Sequence, residues 1–259
     1  MRHNLFVILL ALASLTASAD EPAFKPLTPA ERSAALQSAS TTGEVLYRHD
    51  QAAWLATDAL VAFWKNSPKS LVAGWITQET EDGIAVVFVD RTPEALYRVT
   101  VSDAGVAGPV NALATPEPLS AYEAGAAAAR AVAKDASFER CGERYNTITL
   151  PATDDTSGWT VYLIPGTTTY EDLPVGGAQR VSVKDGKIVS QRGYSRSCIV
   201  LKDDPKAVGL MITHLLDPEP TEIHVFWSLW AKKTFYVMTQ PNGVMWKLDG
   251  KTIHAMDKD

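Results

Sequence analysis

A chain of 259 residues, 46% hydrophobic and 21% charged, has a globular composition and room for one large domain or two ordinary ones. That excludes a fibrous or wholly disordered protein. A formal charge of −6, with Lys232-Lys233 as the densest basic pair, argues against non-specific binding to nucleic acid or to an anionic membrane surface.

In chain order, Met1 to Asn4 is a short basic start, Leu5 to Leu15 is almost wholly apolar, and Ala17-Ser18-Ala19 sets small residues before Asp20. This pattern predicts a signal peptide over 1–19, cleaved near Ala19-Asp20, and a periplasmic or secreted product. The leader holds one charged residue, Arg2, so the remainder carries −7. No later run is long and apolar enough to predict a transmembrane segment.

Residues 20–43 carry Pro22, Pro26 and Pro29 and read as an extended arm, with at most a helical turn after Thr28-Pro29. A helix is expected from Asp50 to about Phe63, closed by Pro68. Strands follow at Leu71 to Thr77, Ile84 to Val89 and Leu96 to Val101, the first two joined by a turn at Glu81-Asp82-Gly83. The first portion thus covers 44–102, a helix plus antiparallel strands. Residues 103–119 hold Gly105, Gly108, Pro109, Pro116 and Pro118 and read as a linker or crossing loop.

Ser120-x-x-Glu123 is a capping box that opens an Ala-rich helix to about Asp135. Beyond it, strands are expected at Tyr145 to Leu150, Trp159 to Ile164, Ala178 to Val183 and Lys187 to Arg192, the last two joined by Asp185-Gly186. Further strands are expected at Leu210 to Leu216, Glu222 to Trp230, Thr234 to Thr239, Val244 to Leu248 and Thr252 to Met256, with tight turns at Asn242-Gly243 and Asp249-Gly250. The second portion, 120–259, is therefore a helix plus antiparallel sheet. The fold class is α+β: two helix-plus-antiparallel-sheet portions with a β-rich C-terminus.

Cys141 and Cys198 are the chain's two cysteines. In an exported protein an even count predicts a disulfide, and closing a loop of this length is worth roughly 4 kcal/mol. No C-x-x-C accompanies either one, so a structural bridge is preferred to a reactive thiol.

The second portion, with the hairpin Val183 to Ser190 turning at Asp185-Gly186, resembles PepSY-type modules of secreted bacterial proteins over about 80 residues. The resemblance implies a small α+β unit linked to peptidase inhibition or propeptide-like roles, and transfers no residue roles. Residues 165–177 and the cysteine pair depart from that pattern. The stretch Asp50 to Trp54 and the Trp-rich C-terminus are similar to uncharacterised secreted bacterial proteins, a likeness that implies a periplasmic accessory protein.

Three groups have chemistry to offer. Asp50, Trp54 and Asp58 fall at i, i+4 and i+8 of the first helix, with His49 adjacent: two carboxylates and an imidazole near an aromatic ring suit acid/base work, against the plainer reading of an N-cap, a packed ring and a solvated acid. His214, His224 and His254 fall in three expected strands and lack metal-site spacing, so no metal or other cofactor is expected. Phe226, Trp230 and Trp246 belong to an aromatic-dense C-terminus that fills a core or, if exposed together, forms a contact surface. No G-x-S-x-G elbow or phosphate-binding loop is present. The expected function is a non-catalytic binding or accessory protein that contacts a protein or cell-envelope partner through a sheet face or edge. The alternatives are a hydrolase built from scattered acid/base residues and a small-ligand carrier with an apolar cavity between helix and sheet.

Overall fold

A computed structural model describes residues 26–65, 71–153, 157–167, 169 and 171–256. The expected signal peptide lies outside them. Helix α1 runs from Pro29 to Trp64, so residues 29–43, expected as an extended arm, are helical. Thr28 caps it, with Oγ1 accepting from the Glu31 amide, the Glu31 carboxylate reaching back to the Thr28 amide, and Pro29 in the first turn. Strands β1 (Gly74–Thr80), β2 (Gly83–Val89), β3 (Ala95–Val101) and β4 (Asn111–Glu117) form an antiparallel meander. Part of the expected linker is therefore a strand: β4 pairs with β3 through Tyr97↔Ala112 and Arg98↔Asn111.

Helix α2 (Ala121–Lys134) begins at the Ser120–Glu123 capping box. The second sheet has the order β5 (Tyr145–Pro151), β6 (Gly158–Pro165), β8 (Gln179–Lys184), β9 (Lys187–Gly193). The intervening β7 (Asp172–Leu173) leaves it to pair with β10 (Leu201–Lys202). Cys141 and Cys198 are bonded, S–S 2.05 Å, and so join the chain entering β5 to the chain leaving β9, the two outer strands of that sheet. Gly177, with φ +92°, lies against this bridge: a Cβ there would stand 2.4 Å from Cys141 Sγ.

The C-terminal sheet has the order β11 (Gly209–His214), β12 (Thr234–Thr239), β13 (Val244–Asp249), β14 (Thr252–Ala255). Residues 222–230, expected as a strand, form helix α3 (Glu222–Ala231) instead. The alternation of Ile223, Val225, Trp227 and Leu229 misled because every residue from Ile223 to Ser228 is buried, His224 and Ser228 included, and a segment buried all round is compatible with a helix as well as a strand. Topology requires the helix: β11 and β12 are parallel, and parallel neighbours need a crossover connection.

The largest core cluster surrounds α3. It combines Leu46 of α1, Ile148, Tyr162 and Ile164 of the second sheet, Val225 and Phe226 of α3, and Phe235 and Trp246 of the third sheet. At Gly43 helix α1 touches α3 so closely that a Cβ would lie 2.5 Å from Val225 Cβ. Further along, Ala52, Ala56 and Leu60 of α1 cover the first sheet through Val86 and Val99. Helix α2 covers the outer face of the second sheet through Ala129, Ala133, Val161 and Val181. Thus α1 spans two sheets, and residues 49–58 sit where it passes from one to the other.

Candidate functional site

Two cavities flank α1 at that passage, and among the described residues they share no lining side chain. The larger, about 840 Å³, lies between the N-terminal half of α1 and the inner face of the second sheet. Its roof is one stripe of the helix: Ala35, Ser38, Ala39, Thr42, Val45 and His49. From Ala35 to His49 the stripe is about 21 Å long at 1.5 Å per residue. Most of these side chains are small, and their size leaves the space open.

The floor is set by strand register. Thr160 faces Ser182, and Tyr162, Arg180 and Arg192 form a row across β6, β8 and β9. Two guanidinium-bearing residues directly opposed repel each other, and each has a carboxylate from the far wall. Arg192 donates to Asp217 at 2.6 Å, and Arg180 lies 3.6 Å from Glu222. Glu222 also accepts from the hydroxyls of Tyr162, at 3.1 Å, and Tyr194. Burial and the Glu222 charge raise both phenols above the ordinary tyrosine range. As the first residue of α3, Glu222 also complements the helix dipole. Asp217 lies 2.8 Å from His214 Nε2 as well. Burial opposes its charge, but hydrogen bonds from His214 and Arg192 outweigh burial and hold the carboxyl below its usual value. Glu219, almost fully buried, accepts from Arg32 Nε at 3.0 Å. Every acid on this wall thus has a cation or a histidine beside it.

His49 closes one end of the cleft. Its Nδ1 is 2.7 Å from Thr77 Oγ1. Its Nε2 is buried with no hydrogen-bond partner among the described residues, and the nearest carboxylate oxygen, on Glu79, is 4.0 Å away. Burial, with a contribution from the Arg48 charge, lowers the imidazole pKa to about 4, so the ring is neutral at pH 7. Arg48 itself holds Glu79 at 2.8 Å. Tyr122 of α2 stands beside this end, its phenol pushed up to about 12 by burial and the Glu79 charge.

The smaller cavity, about 230 Å³, opens on the other side of α1 and contains Asp50, Trp54 and Asp58. The spacing read from the sequence does bring these three together, and Trp75, Asn146, Trp227 and Trp230 complete the site from β1, β5 and α3. Trp54 and Trp230 have ring centroids 6.2 Å apart, and Trp227 meets Trp230 edge-on at 5.7 Å. Asp50 Oδ1 accepts from Asn146 Nδ2 at 2.8 Å. Burial raises its pKa to about 6, against the opposing hydrogen bonds from Asn146 and Gln51.

The acid/base group expected at 49–58 is therefore divided: His49 lines one cavity, Asp50 and Asp58 the other. Adjacent helical residues differ by about 100° in direction, and here the two directions open on different spaces. Of the three C-terminal histidines, His214 and His224 meet at 4.6 Å between ring centroids. His224 Nδ1 accepts from the Thr221 amide as a helix cap, in α3 rather than in a strand. His254 stands apart and exposed on β14. Among the described residues no group of three or more His, Cys, Asp or Glu is placed to hold a metal. The candidate aromatic surface is also divided: Phe226 and Trp246 are each 1% exposed and belong to the core, Trp230 is half-buried, and Phe226 and Trp230 both line the smaller cavity whereas Trp246 does not.

Sequence reasoning missed the larger cleft because four of its six roof residues, Ala35, Ser38, Ala39 and Thr42, lie in the segment read as an arm. One signal for the helix was present: Thr28-Pro29-x-Glu31 is a capping box with proline at the first helical position. The Arg180–Arg192 juxtaposition had no such signal, because it depends on strand register. Compared with known proteins, the chain matches no family model, no curated protein and no solved structure.

Proposed function

We propose that this is a non-catalytic binding protein that takes an elongated, amphipathic small molecule into the larger cleft. The observation that carries this reading is the combination of a cleft of about 840 Å³ with an imidazole whose Nε2 is buried on its wall without a partner among the described residues. A buried polar atom left unpaired costs about 1–3 kcal/mol, a cost that a ligand group bonded to Nε2 would offset. The volume falls in the range of small-molecule sites. The lining differs from the apolar cavity expected of a carrier: Ala35, Ala39 and Leu150 alternate with Ser38, Thr42, Thr160 and Ser182, and two arginines stand on the floor. That mixture favours a ligand with both apolar surface and hydrogen-bonding or acidic groups. It favours such a molecule over a folded partner held at a sheet face, because α1 roofs the floor strands.

Export belongs to the same proposal. The bonded Cys141–Cys198 pair suits an oxidising compartment, and among the described residues no helix is long and apolar enough to cross a membrane. The test uses anilinonaphthalene sulfonate, a probe with aromatic rings and one sulfonate. The folded protein should bind it saturably at one site, and Ser38→Trp, which places a large ring in the roof from an exposed position, should weaken binding at least tenfold. Unsaturable fluorescence, or equal binding by the variant, would contradict the reading.

A further inference from the structure

The smaller cavity has a different chemistry. Its walls include indole rings from α1, β1 and α3, its charged side chains are Asp50 and Asp58, and no Lys, Arg or His lines it among the described residues. Asp50 is 5% exposed, and its hydrogen bonds come from neutral amides; among the described residues no cation pairs with it. A buried carboxylate without a counter-charge is unfavourable, and a cation delivered to it from solution would relieve that state. Indole faces attract cations through the ring quadrupole. One ring here already does so: the Arg130 guanidinium lies 5.9 Å from the Trp75 centroid, held by its Nε bond to Thr147 at 2.7 Å.

We infer that the cavity between Trp54, Trp75 and Trp230 binds a compact quaternary ammonium group, with Asp50 as its counter-charge. Thr57, Asn146 and Thr167 also line the cavity, but its indole faces return no hydrogen bonds for the water that a strongly hydrated metal ion or a primary ammonium would lose there. A quaternary nitrogen is weakly hydrated, and its methyl groups gain from contact with the rings. About 230 Å³ suits a head group and little more. Trp227, on the same wall, has a buried indole N–H with no partner among the described residues, and an oxygen near the onium, such as the choline hydroxyl, would suit that donor. This site is independent of the proposed occupant of the larger cleft.

The test titrates full-length protein with choline and with tetramethylammonium, read by calorimetry and by the indole N–H signals in NMR spectra. Its control is 3,3-dimethylbutan-1-ol, the neutral carbon analogue of choline. Choline should bind saturably and at least tenfold more tightly than the analogue. Asp50→Asn, which keeps the shape of the side chain, should weaken choline binding at least tenfold while thermal unfolding shows a folded protein. Trp230→Ala should weaken it as well, giving a second variant should the first fold poorly. Phosphatidylcholine vesicles distinguish a lipid head group from a free molecule: co-sedimentation that Asp50→Asn abolishes supports the site with a lipid occupant. Failure of choline, tetramethylammonium and vesicles alike, equal affinity for the neutral analogue, or unchanged binding by Asp50→Asn would each overturn the inference.

Discussion

The two cavities beside α1 treat buried acids in opposite ways. In the larger cleft, Asp217 and Glu219 are each bonded to an arginine, and Glu222 collects two tyrosine hydroxyls with Arg180 nearby. In the smaller, Asp50 receives only amide hydrogen bonds among the described residues. The first set is satisfied internally, and the unmet valence in that cleft belongs to His49. In the second the unmet requirement is charge. The comparison teaches that an acid beside a cavity indicates a ligand chiefly where the protein has left it without a counter-charge.

Four perturbations sharpen that contrast, beginning with the largest. Breaking the disulfide by Cys141→Ser and Cys198→Ser together should cost about 4 kcal/mol by the chain-entropy argument, measured as a shift in urea unfolding. The loss should fall on the larger cleft first, because the bridge joins the ends of its floor sheet. Next, Gly43→Val should destabilise the fold by about 2–3 kcal/mol through overpacking against Val225. It should damage both cavities together, since α1 and α3 supply walls to each.

The third perturbation uses pH, where His49 and Asp50 act with opposite sign. The Asp50 pKa is raised from 3.8 to about 6, so between those values the folded state holds a proton that the unfolded state has lost. Stability from this group is therefore present at low pH and lost as pH rises through that window. The His49 pKa is lowered from 6.5 to about 4, so the unfolded state holds the extra proton, and stability is lost as pH falls through that window. Each contribution is on the order of 3 kcal/mol and they oppose each other. Relative to the parent, Asp50→Asn should be more stable at pH 7 than at pH 4, and His49→Gln should show the reverse trend. Parallel stability curves for the parent and both variants between pH 4 and 7 would refute these environments. The smallest effect is that of Ser38→Trp, which should change stability by no more than about 0.5 kcal/mol while blocking the larger cleft.

How much of this was legible depends on whether the signal was local. The turns at Asp185-Gly186, Asn242-Gly243 and Asp249-Gly250 stand where the sequence placed them, because a tight hairpin is specified by its own residues. The Ser120–Glu123 cap is equally local. The start of α1 was local too, but the surrounding prolines and alanines obscured it. Helix α3 was not legible: its apolar residues alternate as a strand's do over Ile223 to Leu229, and its form goes with a parallel strand pair made elsewhere. The candidate site divides along the same line. Helical spacing placed Asp50, Trp54 and Asp58 together, whereas Trp75, Asn146 and Trp230 come from three other elements that only the assembled fold brings in. His49 was assigned to the wrong side because adjacency in sequence was read as adjacency in space.

The central claim is that α1 separates two binding sites of different chemistry. The most direct measurement is an amide and indole NMR titration of one isotopically labelled sample with anilinonaphthalene sulfonate and, separately, with choline. The sulfonate should shift signals around residues 38–42 and 180–182, and choline should shift the indole signals of Trp54 and Trp230, each leaving the other set in place. One common set of shifted signals for both probes, or no shift with either, would contradict the account.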